Sequence, residues 1–220
     1  MKQMNRIFSI TVLIICFAFV SKSALTEGED FVECANLIYA GTKSSICFSE
    51  SFLSDVSRET TIRASRKFKP VKLGGAEIFD FPFAVMTGEG EFSLTAKERS
   101  SLRRYLEKGG FLLASAGCSN QDWDRSFRSE IKQIFPELRL ASIDANHPIF
   151  ATVSEIKKLE TKGEDAHLEG LSMGGKLVLV YSPDGLNDTS SMHGCCCCGG
   201  NEILNSRNVN VNVITYALLQ

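Results

Sequence analysis

Apolar runs and polar, helix-periodic stretches alternate along most of the chain. Phe31–Tyr39 is apolar, rich in β-formers, and followed by Gly41. Ser49–Arg58 places Phe52, Leu53 and Val56 on one helical face. Thr61–Val71 reads as extended, with Lys and Arg outward, and Phe83–Met86 as a short buried strand that ends at Thr87-Gly88-Glu89-Gly90. The clearest unit follows. Thr95 and Glu98 form a T-x-x-E capping box. Leu102, Tyr105 and Leu106 recur at helical spacing in Ala96–Lys108, and Gly109-Gly110 supplies a left-handed stop. Phe111–Ser115 is a buried strand running into Ala116-Gly117-Cys118-Ser119. Asp122 or Asp124 caps the next helix, whose Phe127, Ile131, Ile134 and Phe135 share a face before Pro136 ends it. Leu138–Ile143, Val153–Leu159 and Lys176–Tyr181 are further strands. In Asn208–Leu219, Val209, Val211 and Val213 alternate as in a strand, whereas Val211, Ile214, Thr215 and Leu218 fit a helix; we read a helix.

Strands alternating with helices predict an α/β fold with a mainly parallel sheet covered on both faces. Ligands of such sheets bind beyond the carboxyl ends of the strands. The loops that follow strands therefore nominate a cleft: Thr87, Gly88, Glu89 and Gly90 after one strand, Asp124 and Arg125 after the next, Ser182 and Asp184 after the last, with Asp144 nearby.

The N-terminus reads as an address. Lys2 and Arg6 precede an apolar run of 14 residues, Ile7–Val20, and Ser21–Ala24 provides small residues for cleavage after Ser23. The run is short for a membrane span, which needs roughly 20 residues. The expected organisation is a secretory signal peptide over residues 1–23 and a single α/β domain over 24–220, periplasmic or secreted; an uncleaved N-terminal membrane anchor is the alternative. Without the signal, net charge falls from −2 to −5 and eight cysteines become seven. An acidic domain of this kind is a poor nucleic-acid binder. No membrane span follows the signal, so the expected partner is a small molecule or another envelope protein.

Several stretches carry a family resemblance. Phe81-Pro82-Phe83-Ala84-Val85-Met86-Thr87-Gly88, Leu102-Arg103-Arg104-Tyr105-Leu106 with Gly109-Gly110-Phe111-Leu112, Asp124-Arg125-Ser126-Phe127-Arg128, and His147-Pro148-Ile149-Phe150 occur in an order and spacing that resembles the bacterial domain-of-unknown-function family 4159. The resemblance implies a flavodoxin-like three-layer sandwich of the class I glutamine amidotransferase-like type, with no established activity. Family members carry aromatic–Gly–His after the Thr, where this chain has Gly88-Glu89-Gly90.

Three chemistries stay open. Cys118 ends a buried strand and precedes a helix, a nucleophile's place in amidotransferase-like folds, and a base would come from His147 or His193. His193 with Cys195, Cys196, Cys197 and Cys198 offers a zinc set, since Cys195 and Cys198 form C-x-x-C before Gly199-Gly200. The same cysteines form disulfides in an oxidising compartment, and Cys34 with Cys47 is a candidate bridge. Seven cysteines cannot all pair within one chain. The leading reading is a binding module with a cysteine-rich strand-end cleft; a thiol- or metal-assisted hydrolase and a structural zinc site are the alternatives, and whether the chain is an enzyme stays undecided.

Overall fold

A computed structural model describes residues 31–44, 47–189 and 200–220. The signal segment 1–23, His193 and Cys195, Cys196, Cys197 and Cys198 lie outside the described residues.

The alternation produces a mixed α/β architecture around a seven-stranded sheet in the order β2-β1-β3-β4-β7-β6-β5. The strands are β1 (Val32–Ile38), β2 (Ala64–Lys72), β3 (Phe83–Gly88), β4 (Phe111–Ala116), β5 (Ala141–Ser142), β6 (Glu169–Met173) and β7 (Lys176–Ser182). β2, β1, β3, β4 and β7 run parallel; β6 is antiparallel to β7, and β5 to β6. Four helices are described: α1 (Ser51–Glu59), α2 (Ala96–Glu107), α3 (Gln121–Ile134) and α4 (Ser206–Leu218). α2 and α3 send Leu102, Tyr105, Trp123 and Phe127 into the core on one face of the sheet. α1 and α4 send Phe52, Leu53, Val209 and Ile214 into the core on the other. Among the described residues, no helix is long and apolar enough to cross a membrane.

Local signals act as read in several places. Thr95 and Glu98 form the reciprocal capping box, and Gly109 takes φ 95° just past the end of α2. Two expectations are corrected and one strand is added. Asn120, not Asp122 or Asp124, caps α3, its side chain accepting the Trp123 N–H at 3.0 Å. Val153–Leu159 is not a strand, because the Val153 and Ser154 N–H groups are both taken by Asn212 Oδ1 on α4. β6 was not foreseen. It pairs with β7 across a two-residue Gly174-Gly175 turn, both at positive φ, which suits the twist of a tight hairpin.

β1 leads through α1 to β2 on one side, whereas β3 and β4 follow on the other. The strand order therefore reverses between β1 and β3, and a crevice opens there at the carboxyl ends.

Candidate functional site

The crevice is walled by two glycines that no other residue could replace without movement. A Cβ on Gly88 would stand 2.5 Å from Tyr39 Oη, and one on Gly117 would stand 2.9 Å from the Gly88 carbonyl. The ends of β3 and β4 thus meet backbone to backbone. Tyr39, just past β1, is tied to the same place: Trp123 Nε1 donates to Tyr39 Oη at 2.6 Å, and Tyr39 Oη donates to the Thr87 carbonyl at 3.0 Å. Burial pushes the Tyr39 hydroxyl up to about 12, against the lowering effect of the Trp123 hydrogen bond, so it remains a neutral donor.

β4 leaves the sheet through a strained elbow. Cys118 (φ 51°, ψ 35°) and Ser119 (φ 53°) are consecutive non-glycine residues in the left-handed region, which costs about 1–3 kcal/mol each. The surrounding chain holds them there. Ser119 Oγ donates to the Asp184 carbonyl at 2.6 Å and accepts the Asn201 N–H at 2.8 Å, and Gly200 lies so close to the Cys118 carbonyl that a Cβ would fall 2.2 Å from it.

Behind the elbow, register aligns three hydroxyls across neighbouring strands: Thr87 beside Ser115, and Ser115 beside Ser182. All three are buried. Asn187, in the loop after β7, accepts from Ser115 Oγ at 2.9 Å and from Thr87 Oγ1 at 3.3 Å. Above them lies a cavity of about 280 Å³ lined by Thr87, Gly88, Glu89 and Gly117, together with Asn187 and, from the loop after β1, Ser44 and Cys47.

Of the expected cleft residues, Thr87, Gly88 and Glu89 line this cavity. Gly90, Ser182 and Asp184 hold its loops: the Gly90 N–H goes to Asn120 Oδ1, the Gly185 N–H to Ser182 Oγ, and Asp184 Oδ1 accepts from Asn201 Nδ2. Asp124, Arg125 and Asp144 serve elsewhere. Asp124 accepts from Tyr181 Oη at 2.6 Å and from Arg128 Nε at 2.7 Å, joining α3 to the sheet. Arg125 pairs with Asp122 on the exposed side of α3. Asp144 caps a turn through the Asn146 N–H.

The structure does not bring His147 to Cys118. The His147 ring packs edge-on against Tyr216, which packs on Phe111 at the amino end of β4. Cys118 follows the carboxyl end of that strand, roughly 20 Å along it. Burial lowers the His147 pKa, partly countered by Asp144. The bridge expected between Cys34 and Cys47 is not formed. Cys34 is a free thiol inside the core of β1, pushed up to about 12 by burial and by Glu33. Cys47 is disulfide-bonded and lies at the cavity, beyond the strand ends. The stretch of β1 between them, on the order of 13 Å, exceeds disulfide reach. Among the described residues no group of His, Cys, Asp and Glu gathers to hold a metal.

Two further features emerge from the structure. Asn187 bears no motif; its importance comes from the Thr87 and Ser115 hydroxyls that register puts beside it. His167-Leu168-Glu169 was legible, since alternate residues of a strand share a face, and His167 Nε2 lies 3.0 Å from Glu169 Oε1.

The family described as domain of unknown function (DUF4159) has a model that matches residues 35–218. No curated protein matches the chain.

Proposed function

The chain belongs to that family, and from its strand-end geometry we propose that it is a small-ligand binding module on a flavodoxin-like frame. The supporting observation is the cavity itself. It opens where the strand order reverses, between β1 and β3, and its floor is a prearranged set of buried polar groups rather than packed apolar side chains. The parallel order β2-β1-β3-β4-β7, with the antiparallel strands β6 and β5 added at one edge, supports that frame.

A fragment screen by ligand-observed NMR tests the reading. Ser44→Trp places a large ring at the cavity mouth. Hits on the native protein should vanish in this variant. Hits unchanged by Ser44→Trp, or none on the native protein, would sink the proposal.

The basic-then-apolar N-terminus supports export to the cell envelope. N-terminal sequencing of the mature protein should then begin at Ala24; recovery of Met1 in the mature fraction would refute cleavage there.

The strained Cys118 elbow favours a second reading, a thiol-dependent hydrolase. It requires a base other than His147. Turnover of ester or amide substrates that disappears in Cys118→Ser would establish it and displace the binding-only reading.

A further inference from the structure

The cavity presents two polar groups that the fold leaves unused, and they are of opposite kind. Asn187 is only 4% exposed. Its Oδ1 is engaged by Thr87 and Ser115. Ser115 Oγ already accepts the Leu186 N–H at 2.7 Å, so its own proton is directed to Asn187. That fixes the carboxamide with oxygen toward the sheet and Nδ2 toward the cavity. Nδ2 has no hydrogen-bond partner among the described residues. Nδ2 is not among the buried side-chain atoms that lack a partner; with no acceptor among the described residues it is open to the cavity, where an incoming acceptor can take its N–H. The second group is Glu89, an exposed residue that lines the same cavity with its Cγ beside Gly117. Its carboxylate makes no ion pair among the described residues, and the Lys43 ammonium donates to the Glu89 backbone carbonyl at 2.8 Å.

Resting on the reading of this cavity as a ligand site, we propose that Asn187 Nδ2 and the Glu89 carboxylate act as a donor–acceptor pair for a small polyhydroxylated ligand, of the monosaccharide or polyol class. A hydroxyl both donates and accepts. One hydroxyl of a polyol can therefore donate to Glu89 while a neighbour accepts from Asn187. The Ser44 hydroxyl and the bare backbone of Gly88 and Gly117 line the same cavity. The Glu89 carboxylate disfavours phosphate and carboxylate ligands, opposed by the Lys43 ammonium held at the Glu89 carbonyl. The volume, about 280 Å³, lies just below the small end of ligand pockets, which span roughly 300–1,000 Å³, and suits a single sugar ring rather than a nucleotide.

Titration calorimetry on the purified full chain tests this with glucose, galactose, mannose and sorbitol as hydroxylated probes, and inorganic phosphate and acetate as anionic ones. At least one hydroxylated probe should bind saturably, and neither anion should. Glu89→Gln removes the charged acceptor and should weaken that binding about tenfold. Asn187→Asp keeps Oδ1 for Thr87 and Ser115 but turns the donor into an acceptor, and should weaken it at least as much; if it does not fold, Glu89→Gln decides alone. Sugar binding indifferent to Glu89→Gln would overturn the donor–acceptor pair. Binding of phosphate or acetate in the cavity would overturn the polyol class while leaving the cavity a ligand site. Binding by none of the six probes would overturn the polyol class as well, and the broader binding-module reading then rests on its own fragment screen.

Discussion

Two polar assemblies lie near the carboxyl edge of the sheet, and they are built on opposite terms. One joins α3 to β6 and β7. Arg128 holds both oxygens of Glu169, at 2.7 and 2.9 Å, and also Asp124 Oδ1 at 2.7 Å. Tyr181 donates to Asp124 while its ring lies under the guanidinium, and His167 completes Glu169. Every charge in this assembly is answered. The other is the cavity between β1 and β3, where Asn187 and Glu89 keep a donor and a carboxylate uncommitted among the described residues. The difference teaches that pairing, rather than polarity, separates architecture from site. Asp124 and Arg125 read as cleft residues because they are charged and follow a strand; the structure spends both on α3.

The contrast can be broken most severely at Arg128. Arg128→Ala leaves the nearly buried Glu169 carboxylate without its main partner, and should lower unfolding free energy by about 2–3 kcal/mol, discounted for the partial exposure of Arg128. Arg125→Ala, on the exposed pair, should change it by less than about 0.5 kcal/mol. Urea unfolding of both variants checks this, and equal losses would mean the closed assembly is no tighter than a surface pair.

On the cavity side, Ser115→Ala deprives the Leu186 N–H of its acceptor and Asn187 of a donor, for a loss of about 1–3 kcal/mol. It should also free the Asn187 carboxamide to turn, so ligand affinity should fall together with stability. A stability loss with affinity intact would show that Ser115 does not orient the site.

Acid separates the assemblies more gently. Burial pushes the Glu169 carboxyl up, but the hydrogen bonds from Arg128 and His167 more than offset it and leave its pKa below the ordinary 4.5. Its stabilisation is therefore fully present above pH 4.5 and is lost as pH falls through the lower folded value. Stability measured from neutral pH downward should show an acid limb that flattens in Glu169→Gln. An unchanged limb would locate acid sensitivity elsewhere.

The smallest expected effect is at Glu89. Because Glu89 is exposed and its carboxylate makes no ion pair among the described residues, Glu89→Gln should move stability by no more than about 0.5 kcal/mol. A larger loss would place Glu89 among the structural groups.

Much of the fold was legible for local reasons. The capping box and the glycine stop of α2 need only their own neighbours. α4 was ambiguous because buried residues, including Asn210, Asn212 and Thr215, occupy successive positions over most of its length, so no polar face marks its period. Val153–Leu159 misled because its apolar residues pack without a strand neighbour, held by Asn212 from α4. At the site, Thr87, Gly88 and Glu89 could be found because a strand end with glycines is visible in one dimension. Cys118 could be placed at a turn, but not its left-handed backbone, which depends on contacts with Asp184, Gly200 and Asn201.

The chain alone therefore determined the alternating elements, their starts and stops, and the edge at which a cleft would form, because these follow from periodicity, capping and glycine within a few residues. Tertiary structure decided which polar groups are satisfied and which are left to a ligand. Asn187 became the inner wall of a cavity only when β3 and β4 aligned Thr87 with Ser115, far away in the chain. Hydrogen-bond saturation belongs to neighbours in space, and no local pattern encodes it.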